Sequence, residues 1–110
     1  MRMLELAPQV YASAQLFESD LQLIARQGGR SIVNTRADNE SPGQPKSADL
    51  AKAAEGFGIT FVYFPVDPVS ITPEAARAFM NACDELERPL VVCGRSGAEA
   101  ARIWETAEAQ

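Results

Sequence analysis

The chain has 110 residues, which suits one ordinary domain and leaves no room for a second. Hydrophobic residues make up 46% and charged residues 23%, enough for a packed core under a solvated surface, so disorder is excluded. A formal charge of −5, with Lys and Arg scattered singly, argues against nucleic-acid binding and against an anionic membrane surface.

The first ten residues carry Glu5, Pro8 and Gln9 and lack the apolar stretch of a signal peptide. No segment approaches the ~20 apolar residues needed to span a bilayer, so a cytoplasmic location is expected. Val10 to Ser13 reads as a short strand. Glu18 to Gln27 reads as a helix with Leu21 and Ile24 on one face, stopped by Gly28-Gly29. Ser31 to Asn34 is an apolar strand. Arg36 to Lys46 is polar and holds Pro42, Gly43 and Pro45, so it reads as a loop.

Ser47 is expected to cap a helix running to about Gly56, with Leu50, Ala53 and Ala54 inward. Thr60 to Phe64 is a β-rich strand and Pro65 to Ile71 a loop. Thr72-Pro73-Glu74 is a helix start: a capping hydroxyl, a proline at the first position and a carboxylate in the first turn. The helix that follows carries Ala76, Phe79, Met80 and Cys83 as one buried stripe. Pro89 to Val92 is a buried strand. A glycine-containing turn leads to a last helix through Ala100 to Ala107.

This alternation predicts one α/β domain over residues 1–110, with a mostly parallel central sheet flanked by helices. Ligands of such sheets bind at the carboxyl ends of the strands. Three loops could meet there: Arg36 to Lys46, Pro65 to Ile71, and Cys93 to Ala98.

There are two cysteines and no histidines. A Ser-His-Asp or Cys-His pair and a His-based zinc site are therefore out of reach, and two distant cysteines make neither a structural zinc site nor a disulfide scaffold. No metal or cofactor is expected. Covalent chemistry, if present, is left with a thiolate assisted by backbone dipoles and arginine. Leu90-Val91-Val92-Cys93-Gly94-Arg95-Ser96-Gly97-Ala98 fits that description. At such a strand-to-helix junction successive amides form an anion nest, and the helix start adds about half a positive charge. A cysteine at its base ionises more readily.

Val33 to Pro45, with its Asn-Thr-Arg-Ala-Asp-Asn-Glu-Ser-Pro-Gly-Gln-Pro run, resembles the signature of the bacterial DUF442 family of candidate phosphatases. The same domain forms the phosphatase-like part of β-lactamase hydrolase-like proteins, and some members are labelled sulfur transferases. Tyr63-Phe64-Pro65-Val66 and Ile71-Thr72-Pro73-Glu74 are similar to a further family stretch, so the resemblance runs from about Pro8 to Trp104. No metallo-β-lactamase segment follows, so a stand-alone member is expected. The resemblance implies a fold like that of dual-specificity phosphatases or rhodaneses, and a phosphorylated or other small anionic substrate. A homo-oligomer is left open.

The family loop reads C-R-S-G-T-R-S. Aligned without a gap on Arg95-Ser96-Gly97 and Trp104, its cysteine falls on Gly94 and its second arginine on Glu99. A gapped register keeps Cys93 as nucleophile and still puts Glu99 at the arginine. A carboxylate ~5 Å from one phosphate charge at an effective dielectric of ~20 costs roughly 3 kcal/mol. With the lost attraction the swing is roughly 6 kcal/mol, or about four decades in rate.

Two functional expectations follow. In the first, a phosphatase-like hydrolase uses Cys93 as nucleophile and Asp67 as general acid. Gly94, Arg95, Ser96, Gly97 and Ala98 then bind the anion, with Arg36 at the rim and Asp38 and Glu40 beside it. A rhodanese-like sulfurtransferase is a variant of it. In the second, a non-catalytic anion- or partner-binding module keeps the fold without the clamp. Cys83 and Trp104 are expected in the core.

Overall fold

The computed structural model describes residues 2–110. Five strands form one sheet: β1 (Met3–Ala7), β2 (Val10–Ser13), β3 (Ser31–Asn34), β4 (Thr60–Tyr63) and β5 (Leu90–Cys93). Their spatial order is β1-β2-β5-β3-β4. β1 pairs antiparallel with β2, and every other pairing is parallel. Three helices connect the parallel strands, α1 (Glu18–Arg26), α2 (Ser47–Gly56) and α3 (Pro73–Asp84), and a fourth, α4 (Gly97–Glu108), follows β5. The expected single α/β domain with a mostly parallel sheet is the observed one. β1 is an addition to it, on a stretch to which the sequence reading assigned no element.

From β2 to β4 the chain travels outward along the sheet, through α1 and α2. It then returns through α3 to lay β5 between β2 and β3. Right-handed crossovers put helices on opposite faces when the direction of travel reverses. Leu21 and Ile24 of α1 and Leu50 and Ala54 of α2 accordingly pack on Ile32, Val91 and Cys93. Ala76, Phe79 and Cys83 of α3 and Ala100, Ile103, Trp104 and Ala107 of α4 pack on Val10, Ala12, Val33, Leu90 and Val92. Neighbours along β5 thus point to opposite faces, as a period of two requires. The expected core places for Cys83 and Trp104 are the observed ones.

The helix ends follow local chemistry. Gly28 adopts φ 88°, and the amides of Gly28 and Gly29 bond back to Ala25 and Ile24, a left-handed stop that glycine supplies without strain. Thr72 Oγ1 accepts from the Ala75 amide at 3.1 Å to cap α3, and Ser96 Oγ accepts from the Glu99 amide at 3.1 Å to cap α4. Among the described residues no helix is long and apolar enough to cross a membrane.

Candidate functional site

The carboxyl ends of β2, β5 and β3 are held side by side by a buried polar seam. Ser13, Asn34 and Thr35 are all buried there. The Gly94 amide donates to Ser13 O at 3.1 Å, and the Thr35 amide and hydroxyl both donate to Cys93 O, at 2.9 and 2.8 Å. Asn34 and Thr35 belong to the signature run, but neither they nor Ser13 was expected at the site. Their signal is a polar side chain ending a short apolar strand, where the ladder stops and loose backbone groups need partners.

Cys93 and Gly94 straddle this seam. The Cys93 side chain lies on the α1–α2 face, 1% exposed among Leu16, Leu21, Ile24, Ile32 and Leu50. Its thiol makes a loose contact with Asn34 Oδ1 at 3.6 Å. Burial pushes that thiol from its ordinary 9.0 up to about 12, partly offset by its own backbone amide. Burial thus disfavours the activated thiolate expected from the sequence. Gly94 looks the other way. A Cβ placed on it would lie 3.2 Å from Thr35 Oγ1 and 3.5 Å from the Ala100 amide nitrogen, facing the first turn of α4.

The amides of Arg95, Ser96, Gly97 and Ala98 meet no acceptor among the described residues, and they lead into the positive end of a twelve-residue helix. The Gly94 amide, expected in the same nest, is instead committed to Ser13. Ser96 faces inward as the cap. The Arg95 side chain is 60% exposed, between Glu40 Oε1 at 3.6 Å and Glu99 Oε2 at 3.7 Å.

Arg36, expected as an anion ligand, is held by a hydrogen bond at each of its three guanidinium nitrogens. Its Nε donates to Glu40 Oε1 at 3.0 Å, Nη1 to Gln15 Oε1 at 3.0 Å and Nη2 to Ser41 Oγ at 2.8 Å. It pins the 36–46 loop. Asp38 is a second pin. It accepts from the Ser47 amide and hydroxyl at 2.9 and 3.0 Å, so Ser47, expected as the cap, is the first residue of α2 and Asp38 takes the capping role from a distance. Gln44 is a third, donating to Ala37 O at 2.8 Å and accepting from the Glu40 amide at 3.1 Å. The Pro-Gly-Gln-Pro segment is therefore knitted into its own loop. Asp67 is exposed and accepts from the Val69 amide at 2.9 Å. That is a turn-forming carboxylate, with no hydrogen bond or ion pair to residues 94–98 among the described residues.

Comparison with known proteins gives the family and the fold. Residues 2–110 match the model of the β-lactamase hydrolase-like protein phosphatase-like domain. The β-lactamase hydrolase-like protein of Agrobacterium fabrum is 29% identical over 99% of this chain, and that of Xylella fastidiosa strain 9a5c is 32% identical over 98%. The chain spans about 25% of the length of these relatives. A candidate phosphatase from Neisseria meningitidis superposes with a TM-score of 0.89 at 29% identity, covering 99% of this chain and 78% of that one. The kinase-associated phosphatase, solved with its catalytic cysteine as serine, shares the fold at a TM-score of 0.66 and 13% identity, over 97% of this chain and 76% of that one. Sheet order, the strand-to-helix loop and the match over residues 2–110 lead to one assignment: the chain belongs to the family of the phosphatase-like domain of β-lactamase hydrolase-like proteins.

Proposed function

We propose that residues 1–110 form a phosphatase-like domain that holds a phosphorylated or other small anionic group at the amino end of α4 and does not carry out a covalent step on Cys93. The observation that supports this most directly is the opposite facing of residues 93 and 94. The position that looks toward the α4 amides is Gly94, which has no nucleophile, while the sulfur lies across the sheet in an apolar layer. Glu99 in the first turn of α4 adds to the case, because a carboxylate there opposes the charge that develops on a transferring phosphoryl group. Four amides without acceptors remain to receive an anion.

A second reading keeps the hydrolase, with Cys93 as nucleophile, Arg95 and Arg36 as anion ligands and Asp67 as acid. In its favour, Cys93 ends β5 directly against the loop, and the kinase-associated phosphatase, of the same fold, works through a cysteine. Sulfur transfer would need the same thiolate.

Hydrolysis of an aryl phosphate, and thiocyanate formation from thiosulfate and cyanide, separate the readings. Wild type and Cys93→Ser are expected to stay at background in both assays. Gly94→Cys combined with Glu99→Arg is expected to gain aryl-phosphatase activity of at least 100-fold over wild type, because the new side chain leaves Gly94 toward the first turn of α4, with Thr35 Oγ1, 3.2 Å from the added Cβ, giving way by a few tenths of an ångström. Wild-type turnover that Cys93→Ser abolishes would restore the thiolate reading.

A further inference from the structure

The 36–46 loop delivers a carboxylate to the mouth of the α4 loop. Arg36 is pinned at all three guanidinium nitrogens, and one of those pins is Glu40 Oε1. The same oxygen lies 3.6 Å from Arg95 Nη2. Glu40 is held a second time through its own amide, which donates to Gln44 Oε1 at 3.1 Å. Arg95, in turn, has Glu99 on its other side. The cation nearest the free amides is therefore already matched by two carboxylates, one of them fixed in place from a neighbouring loop.

We propose that Glu40 is a specificity-determining residue of this site: its carboxylate stands on Arg95 as an internal competitor, and an incoming anion gains Arg95 only by displacing it. The inference rests on the reading of the 95–98 amides as an anion site. Preorganisation makes the competition effective. Glu40 loses little freedom on reaching Arg95, because Arg36 and Gln44 have already fixed it, whereas a free anion loses its translational freedom. Small inorganic anions are accordingly weak ligands. A ligand that succeeds is an organic phosphate or carboxylate whose remaining atoms make contacts beyond the loop.

Sulfate tests this, since its charge is constant through neutral pH. Amide chemical shifts are followed by NMR while sulfate is titrated at constant ionic strength into wild type, Glu40→Gln and Glu5→Gln. Glutamine at 40 keeps a carbonyl oxygen for Arg36 Nε, so the loop stays pinned, and a dispersed spectrum verifies it. Glu5 lies on β1, has no side-chain hydrogen bond or ion pair to the 36–46 loop or to residues 94–98 among the described residues, and controls for the loss of one negative charge. The expected result is movement of the 95–98 amides in all three, with about tenfold tighter binding in Glu40→Gln and less than twofold change in Glu5→Gln; tenfold corresponds to about 1.4 kcal/mol. Equal affinity in wild type and Glu40→Gln, or an equal gain in Glu5→Gln, overturns the competition and leaves the anion site standing. Absence of movement at 95–98 in every protein overturns the anion site and this inference with it.

Discussion

At the residue scale, one step along β5 decides what the loop can do. Residues 93 and 94 differ by a single peptide unit, yet the first points into the α1–α2 layer and the second toward α4. Activation of a cysteine needs nearby donors or positive charge. Cys93 has an amide oxygen at 3.6 Å and aliphatic neighbours, so burial dominates. Native protein at pH 8 is expected to leave Cys93 unmodified by a small disulfide reagent over hours, and to react promptly in urea. Fast labelling of the native chain at that position, located by mass spectrometry, would contradict the packing described here. The raised pKa also sets a pH dependence. A thiol whose folded pKa is about 12 against an ordinary 9.0 contributes stability fully below pH 9, and loses it as pH climbs from 9 toward 12. Cys83 behaves alike, pushed up to about 12 by burial against the opposing pull of Arg88. Urea midpoints are thus expected to fall across that window, less steeply in Cys93→Ala.

At the element scale, the helices were written in plain local code and the first strand was not. Thr72-Pro73-Glu74 and the glycines after Gln27 state where helices begin and end, and Thr72 and Gly28 act in those roles. Thr72→Ala is expected to destabilise the fold by about 1 kcal/mol, read as a lower urea midpoint at unchanged slope. Ser96→Ala should cost about as much, and it additionally frees the Glu99 amide at the mouth of the site. β1 escaped notice because Met3-Leu4-Glu5-Leu6-Ala7 contains no β-branched residue and would suit a helix. It is a strand because the turn at Pro8 and Gln9, with Gln9 at φ 62°, folds it back onto β2. The 36–46 loop is a comparable case. Its composition reads as an ordinary polar loop, while its Arg36, Asp38 and Gln44 side chains act as internal ties.

At the scale of the whole molecule, two apolar layers sandwich the sheet, and the α3–α4 side holds the larger aromatic packing. Phe79 is 1% exposed and meets Phe64 edge to face at 5.7 Å. Phe79→Ala is expected to cost about 3–5 kcal/mol, enough to unfold a marginal domain, whereas Ile32→Val on the other side should cost about 1 kcal/mol. Denaturant melts of the two variants check the ranking.

From its order of residues alone the chain declared an alternating α/β domain, the start of α3 and the stop of α1, the buried stripe on α3 and the strand-to-helix junction after β5. Those are local or periodic properties, carried by neighbours a few positions apart. Which of Cys93 and Gly94 faces the α4 amides, whether Arg36 is free or tied, and that Glu40 reaches Arg95 were decided only in three dimensions. Strand register and the packing of one loop against another join residues far apart in the chain, and no spacing rule encodes the direction in which a side chain leaves the end of a strand.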